Sequence, residues 1–272
     1  GLRELGVDAW WLEPLWTRGD AARDREFIES FRRHVADMGV ADRVVLVFFP
    51  EGTRHDPPGR AEVFGMDAAE LVARQRDALL LNLAHSVTAP LRAGFARTAL
   101  FDLDPGPFQI WARQWDMGVG SHDVHVTIGQ HLGASDSPVP VDDVDWRRVW
   151  PAVHLASWPA QNAPATRYTT VTQWWSQEYA FLDGETYDCN KRTSFMEVLP
   201  LPGRAGVALE LAANIHSTET EDLAALARHG WRVADPAPGG REEDKPRARR
   251  RFPGGEPSTL GVPIRARKPF ER

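Results

Sequence analysis

At 272 residues the chain is long enough for one large domain or two modest ones, each with its own apolar core. A single cysteine, Cys189, excludes an internal disulfide, and no apolar run approaches the roughly 20 residues that span a bilayer. The formal charge of −6 offers no general attraction to a nucleic-acid backbone, although residues 237–272 hold ten Lys/Arg against five Asp/Glu. With no signal-peptide pattern at the N-terminus, these features point to a cytoplasmic protein with neither a nucleic-acid partner nor a membrane span.

Residues 1–6, GLRELG, read as the last turns of a helix stopped by Gly6 and leading into a strand over Val7–Leu12. An α/β unit normally opens with a strand and a glycine-rich turn, so the expectation is that the sequence starts inside an element whose earlier partners are absent. Arg23–Met38 follows as an amphipathic helix, with Phe27, Ile28, Phe31, Val35 and Met38 spaced near 3.6 residues. The run Arg43–Phe49 is a buried strand, Asp67–Arg76 a helix capped by Asp67, and Ala78–Leu83 the next strand. A short helix near Ala89–Ala96, the strand Thr98–Phe101, a helix over Phe108–Trp115 and a strand over His122–Ile128 continue the alternation. This is the pattern of a Rossmann-like, doubly wound parallel sheet over residues 1–132, lacking its first strand.

Residues 133–167 lose periodicity and read as an interdomain linker. A second alternation then occupies 168–236. It comprises a strand over Tyr168–Trp174, a helix over Lys191–Val198, a strand over Gly206–Ile215, a helix opened by a Thr218/Glu221 capping box, and a strand from Trp231. There the pattern stops, so the fold class is α/β with an incomplete second α/β domain. Residues 237–272 are rich in Pro, Gly and Arg without a core-facing period and are expected to be disordered. A shifted reading frame and a basic nucleic-acid-binding tail are the competing readings of that segment.

The stretch Thr98–Gln114, TALFDLDPGPFQIWARQ, carries the candidate chemistry. A buried strand ends there in Asp102, Asp104, Pro105 and Gly106, and in open α/β sheets ligands bind outside the carboxyl ends of the strands, where a helix N-terminus offers unpaired N–H groups. Asp104 is equally readable as the cap of the following helix. Asp102, Asp104 and His122 are the candidate bases, with His122 and Asp123 expected to open their strand. His122 and His125 have metal-like spacing on a helix, but a strand sends them to opposite faces, so no metal site is expected.

Glu13 is placed at a strand end, where a dinucleotide fold puts its ribose acid, but the glycine motif that would make this a nucleotide cofactor site is absent. No cofactor is therefore expected. Gly106 and Gly129 are candidates for close ligand approach, and Thr172, Gln173 and Trp174 close the second unit's first strand as further substrate contacts. Core packing is the alternative for Trp174, one of eleven tryptophans.

Five stretches, GLRELGVDAWWLEP, ALFDLDPGPFQIWA, SHDVHVTIGQHLG, RYTTVTQW and GVALELAANIH running into LARHGWRVADP, together resemble a poorly characterised bacterial group of GT-B-type glycosyltransferases. The resemblance covers most of residues 1–236. It implies two facing Rossmann-like domains, an acceptor-side domain first and a donor-side domain second, and transfer of a sugar from a nucleotide-sugar to an unknown acceptor. In that group the first domain begins with a further strand and the second continues through a donor-binding segment, so this chain looks truncated at both ends. The alternative is a non-catalytic relative that binds a sugar or a partner, or a gene fragment.

Overall fold

The computed structural model describes residues 1–52, 60–160, 164, 166–176 and 178–236; the tail 237–272 expected to be disordered lies outside them. The chain divides into two compact units, Gly1–Pro159 and Ala160–Arg272. In the first unit the order is β1 (Trp11–Trp16), α1 (Ala21–Asp37), β2 (Val44–Phe49), β3 (Glu62–Phe64), α2 (Ala68–Gln75) and β4 (Leu79–Leu83). It continues with α3 (Ala89–Arg92), β5 (Arg97–Asp102), α4 (Pro105–Gln114), β6 (Val124–Thr127) and β7 (Trp146–Arg148).

The strands form two sheets, where the sequence suggests one doubly wound sheet. β1 and β2 pair in parallel, with β3 antiparallel at the far side, and β4-β5-β6-β7 form a separate, wholly parallel sheet. All six residues of β2 are buried because both of its faces are covered. Leu46 and Phe48 meet Ile28 and Phe31 of α1, while Val45, Val47 and Phe49 pack with Leu71 of α2 and Leu91 of α3. The helices start where capping chemistry requires: Asp20 accepts from the N–H groups of Ala22 and Arg23, and Asp67 accepts from those of Ala69 and Glu70. β1 starts later than the sequence suggests, after a single 3-10 turn at Leu2–Leu5 that Gly6 ends in the left-handed conformation.

The four-stranded sheet is cored by Leu100, Phe108, Leu132 and Trp146. Trp146 belongs to β7, which the sequence places inside the linker; residues 133–159 instead belong to the first unit. A three-residue strand holding one large apolar side chain and two arginines has no period to read, so the linker appears longer than it is.

The second unit contains β8 (Tyr168–Thr172), β9 (Tyr179–Leu182), β10 (Glu185–Asp188), α5 (Lys191–Glu197), α6 (Leu201–Ala205), β11 (Leu209–Ala213), α7 (Thr220–Arg228) and β12 (Arg232–Ala234). β12-β11-β8 is a parallel sheet around a core of Trp174, Leu211, Leu226 and Trp231. β9 and β10 form a hairpin turned by Asp183 and Gly184, both at positive φ (52° and 82°), as a two-residue primed turn requires. The expected Thr218/Glu221 capping box is absent. Glu219 holds the cap position, and Thr218 Oγ1 bonds His216 Nδ1 at 2.7 Å instead. The molecule is thus a mixed α/β protein built on parallel sheets.

Candidate functional site

β5 delivers Asp102 to the point where β5, α4 and β6 meet, and there the side chain is 1% exposed. Oδ2 accepts from Gln109 Nε2 and Thr127 Oγ1, both at 3.1 Å, and Oδ1 accepts from the Asp104 N–H at 3.1 Å. Burial raises the Asp102 carboxyl above its ordinary range and outweighs these donors, which pull the other way. Chemically the arrangement is a clasp: one carboxylate ties the strand end to the first turns of α4 and to the neighbouring strand. A group enclosed in this way has no route to a substrate proton, so Asp102 is a positioning residue for the turn.

Asp104 is the exposed member of the pair. Its backbone carbonyl accepts from the Phe108 N–H at 3.0 Å, but its side chain does not cap α4. The helix N-terminus is also a poorer anion site than the sequence suggests. Pro105 and Pro107 have no N–H, so Gly106 alone supplies a donor among the first three helical residues. The loop after β6 closes over this start. The Gly129 N–H donates to Thr127 Oγ1 at 3.0 Å, and a Cβ on Gly129 would lie 2.8 Å from Pro105 Cβ. Asp102, Asp104, Gly106 and Gly129 therefore gather at one strand end, with Asp104 facing solvent and Gly106 opening onto free space.

No family model, curated protein or solved structure matches this chain.

His122 belongs elsewhere. It sits in the turn before β6, at the opposite end of that strand from Thr127. Its Nε2 meets Asn82 Nδ2 at 3.0 Å and its Nδ1 meets the Gly118 carbonyl at 2.8 Å. An amide nitrogen can only donate, so these bonds select the neutral tautomer with the proton on Nδ1. Asn82 in turn donates to the Val87 carbonyl and accepts from its N–H, each at 2.9 Å. Burial foremost holds the His122 pKa below the ordinary histidine value. His122 is thus a buried tie between β4 and the β6 turn, apart from the strand end where Asp102 and Asp104 lie.

The His122 and His125 rings are also not on opposite faces. They meet edge to face at 6.4 Å, because His122 precedes the strand and escapes its alternation. Among the described residues no group of three or more His, Cys, Asp or Glu side chains is placed to hold a metal ion.

Glu13 lies within β1, which runs on through Pro14 to Trp16, so it is not at a strand end; its Oε2 accepts from Trp11 Nε1 at 2.9 Å. In the second unit Thr172 ends β8 and Gln173 beyond it is exposed, but Trp174 is core, 0% exposed. Trp174 Nε1 donates to Asp222 Oδ2 at 3.0 Å, and Arg192 grips the same carboxylate with Nε to Oδ2 at 2.6 Å and Nη2 to Oδ1 at 2.7 Å. Trp174 is thereby fixed in the core of the second unit. A cleft of ~490 Å³ lies between α1 and the start of β2, lined by Phe31, Arg32, Val44, Leu46 and Phe64 among others, and none of the candidate residues reaches it.

Sequence reasoning missed Gln109, Thr127, Asn82, Arg192 and Asp222. Gln109 carries a signal of its own, as a polar residue set within the otherwise apolar helix face PFQIW.

Proposed function

We propose that this chain is glycosyltransferase-like: it transfers a sugar from a nucleotide-sugar to an acceptor, with Asp104 as the base that takes the acceptor proton. The observation that carries this reading is the division of labour at the end of β5. Asp102 is consumed by three hydrogen bonds that fix the turn, and the turn so fixed presents Asp104 to solvent at the carboxyl edge of a parallel sheet. The two prolines at the start of α4 suit an acceptor side. A base needs no ring of N–H donors beside it, whereas a leaving diphosphate does.

The resemblance of GVALELAANIH and RYTTVTQW assigns that donor role to the second unit, where Thr172 and Gln173 close β8 as the candidate contacts. The competing reading, a non-catalytic binding relative, draws on the same prolines, since they remove anion-holding groups from the α4 terminus.

Titration of isotopically labelled protein with panels of nucleotide-sugars and simple glycosides separates the two. Transfer requires glycosides to shift the amide signals of Leu103, Asp104, Gly106 and Gly129, and nucleotide-sugars to shift those of Thr172 and Gln173. Shifts confined to one unit would favour a binding module, and no shift in either would overturn the reading.

A further inference from the structure

Arg92 is the last residue of α3 and is buried, at 9% exposure. Its backbone is satisfied, since its N–H donates to the Thr88 carbonyl and its carbonyl accepts from the Phe95 N–H, both at 3.0 Å. Its guanidinium is not: among the described residues it takes part in no ion pair and no hydrogen bond. The other buried charged side chains, Asp24, Asp102 and Asp222, each hold two or more hydrogen bonds. A cation taken out of water without a counter-charge or an acceptor is strongly disfavoured, so this one position stands out against the rest of the interior.

The guanidinium lies against the turn between α4 and β6. A Cβ on Gly118 would stand 2.9 Å from Arg92 Nη1, so it is a glycine, left-handed at φ 69°, that lets the cation come this close. Gly120, two residues on, faces open space and places no side chain over the group. The guanidinium nitrogens are not sealed. Among the described residues Trp10 Nε1 is the fully enclosed side-chain polar atom that lacks a partner, and no Arg92 nitrogen joins it. A buried stem thus carries a guanidinium that reaches solvent through a small opening.

The titratable groups of the facing turn and strand do not neutralise it. Asp116 turns Oδ1 to the Gly118 N–H at 2.8 Å and forms no ion pair with Arg92. His125 Nε2 meets the Val119 carbonyl at 2.7 Å. His122 is the group that the Arg92 charge reaches: burial foremost, and that charge with it, lower the His122 pKa.

We propose that Arg92 binds a small oxyanion, inorganic phosphate or the phosphoryl group of a phosphomonoester, in the opening between the end of α3 and the Gly118 turn. The planar guanidinium fork matches two oxygens of such an anion and gives it charge-assisted bonds. A small opening admits the phosphoryl group and leaves the body of a larger ligand outside. The bound anion supplies the counter-charge that the protein does not, and it fixes α3 to the turn that carries His122. The site is at the end of β6 opposite Thr127, away from Asp102 and Asp104, so the inference is independent of the glycosyl-transfer reading.

The test is titration of the full chain with sodium phosphate against sodium chloride of equal ionic strength, followed by NMR and thermal melts. The expected result is saturable amide shifts at Arg92 and over residues 117–122, with a His122 ring pKa that moves up toward the ordinary histidine value. At saturation the melting temperature should stand about 2–4 °C higher. A parallel titration with glycerol 3-phosphate separates the two sources: tighter binding than phosphate assigns the site to a phosphomonoester, and equal or weaker binding assigns it to the free anion. Arg92→Met should weaken phosphate about tenfold or more, and in phosphate-free buffer it should melt no lower than the parent, because it removes a buried cation that has no partner. Should Arg92→Met fail to fold, Arg92→Lys keeps the charge, loses the fork and should weaken phosphate in the same direction. Asp116→Asn keeps an acceptor for the Gly118 N–H and should leave phosphate binding intact or tighter. The proposal is overturned by the absence of saturable shifts at these residues, or by shifts that persist unchanged in the Arg92 variants. It is equally overturned if Arg92→Met and Asp116→Asn both melt lower in phosphate-free buffer, since Arg92 then pairs with Asp116 in solution.

Discussion

Replacing Asp222 by alanine deletes an acceptor shared by two donors, and the structure sets the size of the loss. The indole N–H of Trp174, on a fully buried ring, loses its partner, and an unsatisfied buried donor costs about 1–3 kcal/mol. Arg192 loses two charge-assisted bonds; its side chain is 34% exposed and regains water, so this part is discounted to about 1–2 kcal/mol. The sum is about 2–5 kcal/mol, confined to the second unit. Asp222→Asn keeps an acceptor for the indole and should lose only the smaller part.

The loss should depend on pH in a definite sense. Hydrogen bonding to Arg192, first among the causes, holds the Asp222 carboxyl below its ordinary range. Its contribution is therefore complete above the unfolded-state carboxylate pKa and disappears as pH falls through the depressed folded value. Urea-dependent hydrogen exchange of residues 209–213 measures the local stability of the second unit. A change below about 0.5 kcal/mol in Asp222→Ala, or a loss of the same size at pH 7 and in strong acid, would refute the reasoning.

Asn82→Ala breaks three bonds at once and strips the partner from a neutral His122, so the first unit should lose about 2–4 kcal/mol in thermal melts. Because burial lowers the His122 pKa, the folded state binds fewer protons than the unfolded one. Stability carried by this residue should be complete above the ordinary histidine pKa and fall as pH drops below it. Gly129→Ala drives a methyl group to 2.8 Å from Pro105 Cβ and should cost about 1–3 kcal/mol with local shifts in α4.

Much of this fold was legible wherever an element is long and apolar. The six buried residues of β2, the stripe of α1 and the Asp67 cap all follow from period and capping chemistry. What escaped was short or conditional. β7 has three residues, and the Asp183-Gly184 turn is a hairpin signal that the flanking strands, neither of them strongly alternating, leave easy to pass over. The split of the first unit into two sheets is a matter of pairing between distant edges, on which local periodicity is silent.

At the candidate site the strand-end position of Asp102 and Asp104 was readable, but the roles of the two were not. Which carboxylate is enclosed depends on Gln109 and Thr127, seven and 25 residues away in the chain. His122 shows the same limit from the other side, since its partner Asn82 is 40 residues distant.

Under the proposed function Asp102 holds the turn and Asp104 does the chemistry. Paired measurement of melting temperature and glycoside affinity on Asp102→Asn and Asp104→Asn tests it most directly. Asp102→Asn places an NH₂ group against existing donors and should lose about 1–3 kcal/mol, a fall of several degrees. Asp104→Asn should lose less melting temperature than Asp102→Asn, while its glycoside affinity falls about tenfold or more. An Asp104→Asn protein that melts lower and binds glycosides unchanged would make Asp104 a structural residue and contradict the account.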